Sequence, residues 1–182
     1  MTEGVRERIA SALEGLEVSG LVRVSLGVDD YYDAIRGLLE NRGERLPVLV
    51  SATIPQHSLL DVLRSLDTDV SGIRVIDCIS ISLLEEVDDE AVYLESPRLL
   101  ESLLMSLGMT YRDLGGPMML IVDSFDSLLL HNNQASMALF LQAMSHRLRE
   151  SGGVGFLLSL REQADEGSEN MLRLLSEMSL EL

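Results

Sequence analysis

The sequence predicts an α/β protein built in three layers, a mostly parallel open sheet flanked by helices. Short apolar runs rich in Val, Ile and Leu recur along the chain, among them Pro47–Thr53, Ile73–Asp77 and Val154–Leu160. Between them lie segments whose apolar residues return at helical spacing, and strands alternating with helices imply a parallel sheet with crossover helices. The run Met118-Met119-Leu120-Ile121-Val122 has no polar break. Such a run fits a strand covered on both faces.

Taken in order, Val5, Ile9, Ala12, Leu13 and Leu16 give residues 3–16 one apolar stripe, so a short helix is expected to pack on the domain. Leu21–Ser25 is the first strand. A turn through Leu26-Gly27-Val28 leads to a helix from about Asp29 to Asn41 with Tyr32, Ile35, Leu38 and Leu39 inward and Gly43 as its stop. Pro47–Thr53 is the second strand, and Pro55 opens a helix carrying Leu59, Leu60, Leu63 and Leu66. Ile73–Asp77 is a short third strand. Glu85-Glu86-Val87-Asp88-Asp89-Glu90 reads as a solvated loop or helix end, with a calcium loop as the functional alternative; the ligand spacing of such a loop is absent. Ala91–Leu94 fits a short strand, and Ser96-Pro97 starts a helix bearing Leu99, Leu100, Leu103, Leu104 and Leu107. After the central strand, Asn133 caps a helix to about Glu150 whose buried stripe is Met137, Phe140, Leu141, Met144 and Leu148. Ser151-Gly152-Gly153 stops it. Val154–Leu160 is another buried strand. The polar stretch Glu162–Asn170 leads to a helix around Met171–Met178, and Ser179–Leu182 adds a last short strand. Residues 1–18 are thus expected to form an N-terminal helical segment packed on a domain spanning 19–182.

The chain has 182 residues, 46% of them hydrophobic, which suits a domain with a substantial core. Its net charge is −16, which disfavours any phosphate backbone, so nucleic acid is not expected as a partner. No apolar run reaches membrane-span length, so no membrane role is expected. Cys78 stands alone, so no internal disulfide forms; a reducing, cytoplasmic setting is expected. All 14 basic residues are arginine. Without lysine there is no Schiff base, lysine general base or phosphate-loop lysine.

Ligands of open α/β sheets bind beyond the carboxyl ends of the strands. Asp123-Ser124 ends the central run there, and Ser25, Ser51 and Ser159 fall near other strand ends, giving a polar rim. No Gly-x-Ser-x-Gly elbow surrounds these serines, so hydrolase chemistry is poorly supported. His57, His131 and His146 are scattered; a metal held by His131, Asp123 and Asp126 is a minor alternative to ordinary loop polarity. Cys78 is read as a packing residue, with a nucleophile as the alternative.

The ordered set Leu21–Ser25, Val48-Leu49-Val50-Ser51, Met119-Leu120-Ile121-Val122-Asp123-Ser124 and Gly153–Ser159 resembles the RecA-like ATPases, especially the archaeal KaiC-like branch, over residues 19–182. It also resembles archaeal RecA-like domains that lack the phosphate loop and accompany signalling modules. The resemblance implies a P-loop NTPase fold in which Asp123 would hold Mg²⁺. Active members have a glycine-rich loop ending in Gly-Lys-Ser or Gly-Lys-Thr; here Ser25-Leu26-Gly27-Val28-Asp29-Asp30-Tyr31 is short and lacks lysine. Asp29, Asp30 and Asp33 open the next helix, and a like charge about 4 Å from a phosphate costs roughly 4 kcal/mol at an effective dielectric near 20. Where the KaiC-like branch has water-activating acids, this chain has Ala52-Thr53-Ile54-Pro55. The resulting expectation is a pseudo-ATPase without catalytic residues or cofactor, acting as an interaction, regulatory or scaffold module in signalling through a protein partner or self-association. Its vestigial nucleotide site would comprise Asp123, Ser124, Ser25 and Gly27. The alternative is a divergent binder of ATP and Mg²⁺ using Asp123, with Arg161 or Arg23 on phosphate; an enzyme acting on an unrelated substrate at the same edge is a third possibility.

Overall fold

The computed structural model describes residues 4–15, 17–89 and 91–182. Its strands are β1 (Gly20–Leu26), β2 (Leu46–Ser51), β3 (Arg74–Asp77), β4 (Ala91–Tyr93), β5 (Met118–Val122), β6 (Val154–Leu160) and β7 (Met178–Glu181). They form one 7-stranded sheet in the order β4-β3-β2-β5-β6-β1-β7. Every pairing is parallel. All strand carboxyl ends therefore share one edge. The helices are α1 (Val5–Leu13), α2 (Tyr31–Glu40), α3 (Gln56–Ser65), α4 (Leu100–Leu114), α5 (Phe125–His131), α6 (Gln134–Ser151) and α7 (Glu166–Leu175).

Two apolar cores lie on opposite faces of the sheet. One joins Val22, Val24 and Leu26 of β1 and Met119 and Ile121 of β5 to α1, α2 and α3. The other joins Leu21, Leu120 and Val122 to α4, α5, α6 and α7. Connections running toward β4 carry their helices on the first face; those running back toward β7 use the second. A single crossover hand requires this division. It also explains the unbroken apolar run of β5, whose residues are all buried because alternate side chains enter different cores.

Local chemistry sets the helix ends. Asn133 accepts a hydrogen bond from the Ser136 amide at 2.9 Å, a cap worth about 1 kcal/mol. Gly115 and Gly152 end α4 and α6 at φ 68° and 67°, where a Cβ would be strained. Within α2, Gly37 lets α1 approach: a Cβ there would lie 3.0 Å from Ile9 Cδ1 and 3.3 Å from the Arg6 backbone.

Three boundaries differ from the sequence reading. Ser96-Pro97 makes a turn, with the Leu99 amide bonded to the Ser96 carbonyl at 3.2 Å, and α4 begins only at Leu100. The last helix starts at Glu166, inside the polar stretch, because Asp165 caps it through the Ser168 amide at 2.7 Å and its polar residues form a solvent face; Met178 belongs to β7. In α2 the inward aromatic is Tyr31, with Tyr32 only partly buried, and the helix begins about two residues later than the sequence suggests, after a 3₁₀ turn at Val28–Asp30. Leu16 and Glu90 fall outside the described residues.

Candidate functional site

The carboxyl edge is centred on Asp123, one residue beyond β5. Its amide extends the pairing with β2 by bonding the Val50 carbonyl at 3.0 Å. The carboxylate is fully buried. Its Oδ1 accepts from the Ala52 amide at 2.9 Å, and its Oδ2 accepts from the Tyr31 hydroxyl at 3.0 Å. Burial pushes the Asp123 pKa up to about 6, opposed by hydrogen bonds from the Ala52, Thr53 and Ser124 backbone and from Tyr31. Burial likewise raises the Tyr31 phenol, with the Asp123 charge adding to it, so the hydroxyl is a permanent donor. Tyr31 comes from the first turn of α2, and its ring meets that of Tyr32 edge-on at 5.0 Å.

The passage from β1 to α2 is short. Gly27 and a single 3₁₀ turn, Val28–Asp30, separate strand from helix. The Asp30 amide bonds the Gly27 carbonyl at 3.0 Å. Asp33 pairs with Arg36 at 3.0 Å. Beside Gly27 stand Arg161, Glu162 and Asp30, the Arg161 Nη2 being 3.1 Å from where a Cβ would sit. Arg161 also donates to the Leu182 carbonyl and, at 3.4 Å, to that of Ser25. Ser25 is buried opposite Ser159 in the β1–β6 register.

The other rim residues have structural partners. Ser124 caps α5 by accepting from the Ser127 amide at 3.0 Å. Ser51 donates to the Ile54 carbonyl. Asp126, whose carboxyl is raised by burial, accepts from the Leu160 amide at 2.7 Å and from Ser159 at 3.3 Å. Asp123, Tyr31 and Ala52 thus form one cluster, Asp126 with Ser159 a second, and Gly27 with Arg161 a third.

Sequence reasoning missed two buried polar centres. Arg23 is 2% exposed, with Glu169 of α7 at 2.5 Å and Glu181 of β7 as partners. Burial lowers its pKa, but those carboxylates more than offset this and leave it raised. Asp77, at the end of β3, accepts from the amides of Gln56 (2.7 Å), Ile79 and Ser80 (both 2.8 Å) and from the Ser80 hydroxyl (2.7 Å). An acid ending a strand and followed within three residues by serine is the signal that marks it. Cys78 is buried with its thiol pushed up, which keeps it protonated and unreactive. His131 lies exposed at the end of α5, and among the described residues no three His, Cys, Asp or Glu side chains converge as metal ligands.

An all-parallel sheet with helices on both faces and an acid beyond its central strand is the three-layer α/β arrangement that a RecA-like fold has. Comparison with solved structures agrees. The chain superposes on the KaiC-like protein PH0186 of Pyrococcus horikoshii with a TM-score of 0.63 at 15% identity, covering 93% of this chain and 74% of that one. It matches the flagellar accessory protein FlaH of Methanocaldococcus jannaschii at 0.63 and 11%, covering 97% and 76%. It matches the Pyrococcus horikoshii protein PH0321, solved in complex with an unknown peptide, at 0.67 and 13%, covering 99% and 84%. The chain therefore has the fold of the archaeal KaiC-like proteins. No protein-family model matches it, and no curated protein matches its sequence significantly.

Proposed function

We propose that this chain is a non-catalytic RecA-like domain, a pseudo-ATPase that acts by binding protein rather than by hydrolysing nucleotide. The observation that carries the reading is the Tyr31–Asp123 bond. A side chain from α2 reaches the acid that would face Mg²⁺, and both carboxylate oxygens already accept protein donors. A polyphosphate there would need a nest of backbone amides and a cation. The short turn at Gly27 offers neither, and Asp29 and Asp30 beside it repel anions. Of the arginines considered for phosphate, Arg23 is held by Glu169 and Glu181, and Arg161 is bonded to backbone carbonyls. These residues do not fit a Mg²⁺–nucleotide. A regulatory or scaffold role in signalling accords with this, as does the peptide carried by one protein of the same fold.

The test is an equilibrium titration with labelled ATP and ADP, with and without Mg²⁺. No binding up to about 1 mM nucleotide is expected, an affinity weaker than about −4 kcal/mol. Micromolar, Mg²⁺-dependent binding that disappears in Asp123→Ala would instead assign the chain as a divergent nucleotide binder.

A further inference from the structure

A polar cavity of about 270 Å³ lies between the C-terminal turns of α6 and α7. Arg149 and Glu177 line it beside Gly20, the first residue of β1. The cavity is therefore at the amino edge of the sheet, opposite Asp123. Two hydroxyls mark it. The Oγ atoms of Ser145 and Ser176 are buried and have no hydrogen-bond partner among the described residues. Both residues line the cavity. Ser145 is 5% exposed and stands one turn before Arg149 on α6. Ser176 is the C-cap of α7, its amide held on the Leu172 carbonyl at 3.0 Å. Buried polar atoms are almost always bonded, so one without a protein partner points to water, an ion or a ligand. Here two of them share one cavity.

The lining selects the chemistry of the occupant. Arg149 pairs with Glu177, so their charges cancel and the cavity carries no net charge. Gly20 at φ 122° makes room for the pair, since a Cβ there would lie 3.0 Å from Glu177 Cγ and 3.5 Å from Arg149 Nε. An anion would find the guanidinium already paired and would meet the field of a chain at −16. A cation would find a single carboxylate, already paired as well. A carboxylate only accepts hydrogen bonds and an ammonium only donates them, whereas a serine hydroxyl and the Gln142 carboxamide do both. The neutral group that answers them in either sense is another hydroxyl. Leu174 and Leu175 give the cavity one apolar side.

We infer that this cavity binds a small neutral polyhydroxyl compound, a polyol or monosaccharide. Its hydroxyls bond Ser145, Ser176 and Gln142, and its carbon skeleton rests on Leu174 and Leu175. The volume falls at the small end of ligand cavities, which begin at about 300 Å³, and limits the ligand to a single sugar ring. Both walls are regular elements, α6 and the capped end of α7, so the site is largely formed before the ligand arrives. Because it lies at the edge opposite Asp123, it does not depend on whether nucleotide binds there.

Nuclear magnetic resonance titration of the full isotope-labelled chain tests it, with D-xylose and glycerol as probes and glycine and acetate as charged comparisons. D-Xylose is expected to give saturating amide shifts at Gln142, Ser145 and Ser176, with a dissociation constant on the order of 1–10 mM. A double variant carrying Ser145→Ala and Ser176→Ala should bind at least about tenfold more weakly. Without ligand it should melt at the wild-type temperature or above, because the hydroxyls it removes have no partner. That melt separates loss of the site from loss of the fold. No saturation by either polyhydroxyl probe up to about 100 mM, tighter binding of glycine or acetate, or shifts that survive in the double variant would each overturn the inference. A double variant that melts below the wild type without ligand would overturn it too, since the hydroxyls would then be bonded within the fold.

Discussion

Replacing Tyr31 by Phe deletes one hydroxyl and little volume, so it isolates the bond on which the candidate site turns. In the folded protein Asp123 is fully buried and titrates at about 6, against 3.8 for a free carboxyl. At pH 8 the group is a carboxylate, and the Tyr31 hydroxyl is a neutral donor to a charged acceptor, worth about 1.5–3 kcal/mol. At pH 5 the folded-state carboxyl is mostly protonated, and the same bond joins neutral groups, worth about 0.5–1.5 kcal/mol. The hydroxyl favours the charged form, so its loss also moves the Asp123 pKa further up. Urea denaturation at both pH values reads the difference, and both lie above the isoelectric point of about 4.4. The expected result is a Tyr31→Phe penalty larger at pH 8 than at pH 5 by roughly 1 kcal/mol or more. A penalty equal at the two pH values, or below about 0.5 kcal/mol at pH 8, would refute the assignment of this hydroxyl as the donor that holds the buried charge.

Asp123 itself should make the wild type less stable as pH rises. Its folded pKa is raised, so its favourable contribution is complete below 3.8 and lost through about 6, a change of about 3 kcal/mol; Asp123→Asn, which cannot ionise, should therefore gain on the wild type between pH 5 and pH 8 in paired urea melts. Glu169→Ala removes the less exposed partner of buried Arg23, leaving Glu181 as its counter-ion, and should destabilise by about 3 kcal/mol; a loss under about 1 kcal/mol would mean the pair behaves as a surface bridge. Asp77→Ala strips acceptors from three amides and a hydroxyl and should cost at least about 2 kcal/mol. It should also free the turn beyond β3, so that a glutamate-specific protease cuts at Glu85 or Glu86 faster than in the wild type.

The sequence by itself determined the layered α/β class, the strands and most of the helices. Periodicity is local, and the two cores read it directly: Met137, Phe140, Leu141, Met144 and Leu148 recur at helical spacing and are all buried. It also determined that no glycine-rich, lysine-bearing loop follows β1, because that motif is a contiguous stretch. Helix starts were less legible where a polar segment could cap or merely turn; Ser96-Pro97 turns, whereas Asp165 caps. Tertiary structure alone decided what the edge residues do. Asp123 is bonded by Ala52 and by Tyr31, 71 and 92 positions away, and Arg23 by Glu169 and Glu181, 146 and 158 away. No local spacing encodes such partners, because a parallel sheet brings together strand ends that lie far apart in the chain. The cavity between α6 and α7 belongs to the same category: Ser145 and Ser176 are ordinary serines in the sequence, and only folding buries their hydroxyls side by side without partners.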